Sequence, residues 1–223
     1  MLKKLIPWLL IIAGCVIISI AVFDRIETWK NQAELVRQYN LYIKQLKDKG
    51  DNPEDSASPL EEEPGIQELP PVLVNPDEPG NNIAGEETSK KPELIGIMSI
   101  PKINLTVAIG EGTDPYTLRY TVGHFKETSK PGKKGNFSVI GHRSYRYGQF
   151  FNRLDQLEEG DAIIVESGIH TYTYKVTESF VVNPEDTWVL NDTDDAQITL
   201  ITCTPIRVAT HRLIVRGILE KTE

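Results

Sequence analysis

The sequence predicts a mainly β domain in the C-terminal part of the chain, preceded by a transmembrane helix and a disordered linker. Three observations indicate this order. Residues 95–223 contain seven short apolar or alternating runs separated by turn residues. Residues 5–23 carry no charge. Residues 50–94 hold eight of the 14 prolines and 12 of the 32 acidic residues, but only 2 of the 24 basic residues.

The uncharged run at 5–23 is long enough to cross a bilayer, because 19 residues of helix span roughly 28 Å. A cleaved signal peptide is the alternative, since Ser19-Ile20-Ala21 has small residues at the spacing of a cleavage site. The length of the run favours an uncleaved anchor. Lys3 and Lys4 precede it, so the positive-inside rule places the N-terminus in the cytoplasm. We expect a single-pass protein of the cell membrane whose C-terminal domain is extracellular, and residues 1–23 form the cytoplasmic tip and anchor.

Residues 24–49 are predicted to form a juxtamembrane helix. Apolar and small residues recur there at steps of three and four, at Ile26, Trp29, Ala33, Val36, Asn40 and Ile43. We interpret it as a spacer, and an extension of the membrane span, a helix on the membrane surface and a pairing with a second copy are the alternatives. Residues 50–94 are predicted to be a disordered linker, because so polar a segment cannot repay its ordering entropy. An interaction tail is the alternative there.

The seven runs of the domain at 95–223 are predicted strands. Their spacing suits a closed or nearly closed barrel, or a sandwich. The domain is nearly neutral and lacks the basic face of a nucleic-acid-binding protein. The predicted strands are 95–100, 104–110, 137–142, 162–167, 171–182, 198–203 and 211–220, and two helical patches lie at 115–120 and 149–157.

Cys203 is the first candidate for chemistry. The chain has two cysteines, and Cys15 lies in the predicted membrane span, so Cys203 has no cysteine to pair with in an exported domain. It ends a predicted strand beside a loop, where rigid scaffolds present reactive side chains. A buried, inert cysteine is the alternative. The nucleophile interpretation requires a basic neighbour and an exposed thiol that reacts with alkylating reagents at neutral pH.

A histidine and an arginine are candidates for assisting this thiol. His142 also ends a predicted strand. His124 lies in a similar Val-Gly-His context, His170 lies in a turn and His211 opens the last strand, and a structural role is the alternative for each of the four histidines. If the last strand runs antiparallel to 198–203, Arg212 faces Cys203 across the pair. Arg216 lies on the same face of that strand but roughly 13 Å further along it.

Four sequence segments together resemble the sortase family of membrane-anchored cysteine transpeptidases. They are IGIMSIPKINL at 95–105, VIGHRS at 139–144, TLITC at 199–203 and HRLIVRG at 211–217, and VVNPEDTWVL at 181–190 is similar to a further sortase signature. The resemblance runs from Ile95 to Leu219. It implies a closed eight-stranded β-barrel with one or two short helices.

The resemblance also implies roles for individual residues. Cys203 matches the nucleophile that attacks the threonine carbonyl of an LPxTG-like sorting signal and forms a thioacyl enzyme. His142 matches the general acid and base, and Arg212 matches the arginine that binds the substrate and the oxyanion. An amine of a peptidoglycan precursor or of a pilin lysine then resolves the intermediate. No cofactor is implied, and the role of the neighbouring Thr202 is left open.

The subclass is predicted to be class D-like, an enzyme that anchors surface proteins, with a class C-like pilin polymerase as the runner-up. Class C enzymes often have an Asp-Pro-aromatic lid before the barrel and a second span at the C-terminus. Here Asp114-Pro115-Tyr116 lies inside the barrel domain, and no second apolar span follows. A tethered, non-enzymatic barrel that binds a wall polymer is the alternative from another class.

A calcium site is a further possibility, since some sortases use calcium. Asp192, Asp194 and Asp195 lie close together in sequence, with Glu185 and Asp186 nearby. We expect these residues to form an acidic surface loop rather than a metal site.

Overall fold

The computed structural model describes residues 14–15, 19, 30, 33–44, 92–143 and 150–223. Most of the predicted membrane span at 5–23, and the predicted linker up to residue 91, lie outside these residues. Among the described residues, no helix is both long and apolar enough to cross a membrane. Residues 33–44 are helical and are called α1 here, within the predicted juxtamembrane helix.

Eight strands form a closed barrel, as the family resemblance implies, and of the two architectures that the strand spacing left open the barrel is confirmed. Their order around the barrel is β1-β2-β3-β4-β7-β8-β6-β5, with β5 returning to β1. The pairs β2–β3 and β4–β7 are parallel, and the others are antiparallel. The strands are β1 (Leu94–Ile100), β2 (Leu105–Glu111), β3 (Val122–His124), β4 (Gly135–Ile140), β5 (Ala162–Ser167), β6 (His170–Val182), β7 (Ala196–Thr204) and β8 (His211–Thr222).

The two predicted helical patches have different outcomes. α2 (Pro115–Tyr120) forms where it is predicted, and the Asp114 carboxylate caps it by accepting the backbone N–H groups of Tyr116 and Thr117, each at 3.1 Å. The Asp-Pro-Tyr sequence is therefore the start of a helix. The predicted helix at 149–157 is wrong, because residues 150–157 form turns and one 3-10 helix, Leu154–Gln156. Its apolar spacing reflects the packing of Phe150, Phe151, Leu154 and Leu157 into the barrel core.

The barrel has two apolar layers because side chains alternate along each strand. Leu200 of β7 and Val215 of β8 point into the barrel interior. Ile201 and Ile214 point outward and form a second cluster beneath α2 and the 3-10 helix Thr187–Leu190. Cys203 and Arg212 have the same parity as Ile201 and Ile214. The candidate site therefore lies on the outer face of the barrel, at the end of an apolar floor.

α1 contacts the barrel through one buried side chain, Tyr39. Its hydroxyl accepts the backbone N–H of Gly168 at 2.9 Å and donates to the carbonyl of Ile95 at 3.3 Å. Ala33 and Asn40, which belong to the predicted helical stripe, are exposed. Gly168 lies in the β5–β6 turn, and Val182 at the other end of β6 pairs with Arg212. The contact with α1 is therefore at the end of β6 remote from the candidate site.

Candidate active site

Cys203 and Arg212 are direct partners across the antiparallel pair β7–β8. This is the register that the sequence argument required. Both residues are almost completely buried, at 1% and 2% exposure. Nη1 of Arg212 donates to the backbone carbonyls of Ala209 and His211, each at 3.1 Å. The β7–β8 loop therefore fixes the arginine beside the cysteine.

Arg216 occupies a different environment four residues along β8. It opposes Thr199, and its guanidinium lies 5.2 Å from the ring centroids of both Phe180 and Trp188. It also forms an ion pair with Glu178 at 3.2 Å. The two rings are stacked, with centroids 5.7 Å apart. Arg216 thus ties the segment between β6 and β7 to the barrel wall, away from Cys203.

His142 lies two residues beyond the end of β4, not at the last position of a strand, and it is 5% exposed. β4 runs parallel to β7, with Ile140 opposite Ile201. Beyond the strand, the Gly141 N–H donates to the Ile201 carbonyl at 3.0 Å, and the Thr202 hydroxyl donates to the Gly141 carbonyl at 2.7 Å. These bonds continue the pairing toward Cys203. The parallel register therefore brings the segment with His142 to the end of β7 that carries the thiol.

The other three histidines have different surroundings. His124 is fully buried in β3, with Nδ1 3.3 Å from both carboxylate oxygens of Glu111. His170 is exposed and lies against the ring of Tyr172, with centroids 6.0 Å apart. His211 is opposite Thr204 but is exposed. Of the four histidines, His142 is the buried one at the end of the barrel that carries Cys203.

The acidic residues considered for calcium have other partners. Oδ1 of Asp192 accepts the backbone N–H of Asn136 at 3.1 Å and the hydroxyl of Ser129 at 3.3 Å. Asp194 is fully exposed and pairs with Lys134 at 3.1 Å. Within the described part of the chain, no three His, Cys, Asp or Glu side chains are grouped so that they could hold a metal.

Arg143 is a buried residue beside the site to which the sequence argument assigned no role. It follows His142 directly and is 5% exposed. Its guanidinium contacts the carbonyl of Cys203, the hydroxyl of Thr204 and the carboxylate of Asp155. No local pattern distinguishes such an arginine from a surface one, because its partners lie far away in sequence.

The accessibility of the thiol differs from the expectation. The nucleophile interpretation expected an exposed sulfur, whereas Cys203 is 1% exposed among Arg143, Arg212 and the ends of the strands. Both arginines are themselves buried at this strand end, which the sequence alone did not show. A substrate therefore reaches Sγ only if neighbouring side chains move.

Comparison with known proteins decides the family. The sortase domain family matches residues 98–220, which is more than half of the chain. The chain belongs to the sortase family. As a sortase it is a cysteine transpeptidase, so the alternative of a non-enzymatic wall-binding barrel is not supported.

Individual relatives of this sortase span several classes. A curated protein named Sortase D, from Bacillus subtilis strain 168, is 27% identical over 97% of this chain and 98% of its own length. A solved structure described as a Clostridium perfringens Sortase D5 transpeptidase is 35% identical, covers 59% of this chain and 82% of that chain, and has a TM-score of 0.54. The pilus-related Sortase C of Group B Streptococcus is 31% identical, covers 67% and 80%, and has a TM-score of 0.58.

Proposed function

We propose that this sortase cleaves an LPxTG-like sorting signal between threonine and the next residue and transfers the acyl group to an amine of the cell wall. The observation that carries the proposal is the pairing of Cys203 with Arg212 at the end of the barrel where the segment with His142 also lies. A thiol, an imidazole and a guanidinium are the groups that acyl transfer through a thioester requires.

Acylation uses the three side chains in turn. The thiol proton of Cys203 passes to His142, and the sulfur attacks the carbonyl carbon of the threonine, so that a C–S bond forms and the carbonyl oxygen becomes an oxyanion. Arg212 donates hydrogen bonds to that oxyanion from its guanidinium, which carries several N–H donors. The C–N bond after the threonine then breaks, and His142 gives its proton to the leaving amine.

Deacylation reverses these roles. The acceptor amine attacks the thioester carbon while the neutral His142 takes the proton that the amine loses. The C–S bond breaks, the sulfur leaves as a thiolate, and a new amide remains. Arg212 stabilises the second oxyanion as it did the first. Because the Ala209 and His211 carbonyls hold its guanidinium in place, little reorganisation is needed in either step.

The proposed subclass is class D-like, with anchoring of surface proteins as the role. The similarity to the Bacillus subtilis Sortase D over nearly the whole of both chains supports it. The Asp114-Pro115-Tyr116 sequence caps and begins α2, so it is not available as a lid before the barrel. The similarity to a pilus-related sortase C favours a second candidate, a class C-like pilin polymerase that uses a lysine as the amine.

The proposed location is the cell membrane, with residues 5–23 as a single anchor, the N-terminus in the cytoplasm and the barrel outside. The uncharged run and the lysines before it support this orientation. An acceptor amine of a peptidoglycan precursor is consistent with that side of the membrane.

The test uses the full chain purified in mild detergent. It is incubated with LPxTG-like peptides and an excess of glycine, diaminopimelate or lysine, and the products are identified by mass. We expect cleavage after threonine with ligation of the amine. Cys203→Ala should abolish both, whereas Cys15→Ala, which removes the other cysteine, should leave both unchanged.

The preferred amine separates the two subclasses. Ligation of diaminopimelate or glycine supports the anchoring role, and a clear preference for lysine supports the pilin polymerase. If no peptide is cleaved and Cys203 reacts with iodoacetamide only in denaturant, the proposed function is wrong.

A further inference from the structure

We propose that Arg143 is a positioning residue, which holds His142 at the correct place relative to Cys203. The proposal deepens the proposed function and rests on it for the roles of those two residues. Arg143 itself contacts the backbone and neighbouring side chains, so the effect is exerted through His142.

The segment that carries His142 has no strand of its own to hold it. β4 ends at Ile140, and His142 lies beyond that end. Two hydrogen bonds, through Gly141 and Thr202, extend the parallel pairing of β4 with β7 by one residue. Past Gly141, the His142 carbonyl accepts the backbone N–H of Phe151 at 3.0 Å, and the Arg143 side chain adds contacts with β7.

Arg143 attaches the segment to the residue that carries the thiol. Its Nη1 donates to the hydroxyl of Thr204 at 2.8 Å and lies 3.4 Å from the backbone carbonyl of Cys203. The arginine is covalently next to His142, and the carbonyl belongs to the nucleophile. Arg143, which is 60 residues from Cys203 in sequence, therefore links the residue next to it, His142, directly to Cys203.

The other terminal nitrogen of the Arg143 guanidinium contacts a short helix that packs in the barrel core. Nη2 of Arg143 lies 3.0 Å from Oδ1 of Asp155, in the 3-10 helix Leu154–Gln156. Leu154 is fully buried in the barrel core, so this helix is a fixed point. The guanidinium thus spans three segments: the end of β4, the end of β7 and this helix.

The chemistry of the side chain explains why an arginine suits this place. A planar guanidinium presents donors in two fixed directions, toward β7 with Nη1 and toward Asp155 with Nη2. Lysine has a single ammonium group on a flexible stem and cannot hold both directions rigidly. The carboxylate of Asp155 is 52% exposed, so solvent screens the ion pair and its main effect is on orientation.

Loss of this link should slow proton transfer more than it weakens binding. A general acid or base works within about 2.6–3.2 Å of its partner. A displacement of about 1 Å costs up to roughly 100-fold in rate. We therefore expect Arg143→Lys to lower kcat for peptide cleavage about 10- to 100-fold, with KM changed less than about threefold.

The matched control is Arg153→Lys. Arg153, like Arg143, lies between β4 and β5 and donates to a backbone carbonyl, that of Ile103 at 3.2 Å. Its other partner is the side chain of Gln156. Within the described part of the chain, its side chain bonds to Gln156 and Ile103 and not to β7, so we expect kcat and KM within about twofold of the wild type. An equal loss of kcat in Arg153→Lys would show that any weakening of this connection slows the enzyme, and would overturn the proposal.

The decisive experiment is a double-mutant cycle on the thiol itself, because it needs no substrate. The rate of iodoacetamide alkylation of Cys203 is measured at neutral pH for the full chain, Arg143→Lys, His142→Ala and the double variant, all on a Cys15→Ala background. If Arg143 acts through His142, each single variant is slower than the background, and the double variant is no slower than His142→Ala alone. Independent, multiplicative losses would overturn the proposal, as would an Arg143→Lys rate equal to the background rate.

Thermal unfolding is followed for every variant. If Arg143→Lys does not fold, Asp155→Asn takes its place in the cycle, because it releases only one branch of the guanidinium. The same expectation then applies with a smaller loss, about two- to fivefold. A wild-type chain that cleaves no sorting peptide but shows the non-multiplicative cycle would refute the proposed substrate and leave the positioning role standing.

Discussion

Two histidines of this chain have nearly the same local sequence and entirely different surroundings. Val122-Gly123-His124 and Ile140-Gly141-His142 each place a histidine after an apolar residue and a glycine, on neighbouring strands. Both rings are buried. His124 is still inside its strand, opposite Val139, whereas His142 is beyond the end of β4. That difference of strand position separates a structural histidine from the candidate acid and base.

Both ring nitrogens of His124 have polar partners within hydrogen-bonding distance. Nδ1 contacts the Glu111 carboxylate, and Nε2 lies 3.2 Å from both the Ser129 carbonyl and the Thr128 hydroxyl. Lys130 adds a second contact to Glu111 at 2.6 Å. A histidine enclosed in this way has no face for a substrate. The comparison teaches that the partners across the sheet, and not the local motif, decide what a histidine does.

The largest expected effect is the loss of activity in His142→Ala. General acid–base catalysis contributes roughly 10²- to 10⁴-fold, so kcat for peptide cleavage should fall by that factor. The measurement is steady-state cleavage of an LPxTG-like peptide by the full chain, with thermal unfolding followed in parallel. The loss of activity is counted per folded molecule, so that any destabilisation from removing this buried ring is kept apart from the loss of catalysis.

The contrast between the two histidines would be wrong if His142→Ala kept more than about a tenth of the wild-type activity, because loss of a general acid or base usually lowers the rate at least about 100-fold. It would also be wrong if His124→Ala lost as much activity per folded molecule as His142→Ala does.

The second expected effect is on stability, in His124→Ala. The change removes the ring from between Glu111 and the Ser129 carbonyl, and leaves a carboxylate that is only 11% exposed with Lys130 as its remaining ionic partner. Removing a buried ring costs about 3–5 kcal/mol through the cavity that it leaves and the hydrogen bonds that it removes. The free energy of unfolding in urea should fall by about 4 kcal/mol. Cleavage activity below the transition should stay within about threefold of wild type.

His170→Ala is the matched control for that measurement, since His170 is exposed and its ring lies at a tilted angle to the ring of Tyr172. Its free energy of unfolding should stay within about 0.5 kcal/mol of the wild type. A drop in His124→Ala no larger than the drop in His170→Ala would show that the His124 network does not stabilise the barrel.

Much of the fold could be predicted because its strands are regular. Seven runs of apolar or alternating residues coincide with seven of the eight strands in the described domain. The eighth, β3, has three residues, too few to show an alternation. Its existence depends on the parallel pairing with β2, which is a tertiary contact. The connection at 150–157 was mistaken for a helix because apolar residues facing a barrel core can copy helical spacing.

Part of the candidate site could likewise be predicted from the sequence, and part could not. The register of Cys203 and Arg212 could be inferred, because two adjacent strands joined by a short loop fix which residues face each other. Arg143 and Tyr39 could not be found, because their partners are Thr204 and Gly168, which lie 61 and 129 residues away. A local pattern contains no information on contacts at that separation. The catalytic roles of Cys203, His142 and Arg212 stay predictions until activity is measured.

The smallest expected effect is the part of the acid-dependent loss of stability that Glu111 of the His124 network contributes. Burial by itself would raise the pKa of the Glu111 carboxyl, but hydrogen bonds and charge from His124 and Lys130 outweigh burial and lower that pKa from 4.5 to about 2. A lowered pKa in the folded state stabilises the protein above the unfolded pKa, and the contribution disappears as the pH falls from about 4.5 through about 2. At about 1.4 kcal/mol for each pKa unit, the contribution is about 3 kcal/mol.

The free energy of unfolding should therefore fall between these pH values more steeply in the wild type than in Glu111→Gln. Glu158→Gln, which removes an exposed partner of Lys102, serves as the control and should keep the wild-type slope. Parallel slopes for the wild type and Glu111→Gln would mean that the His124 network is no stronger than a surface contact, and the contrast with His142 would then rest on strand position alone.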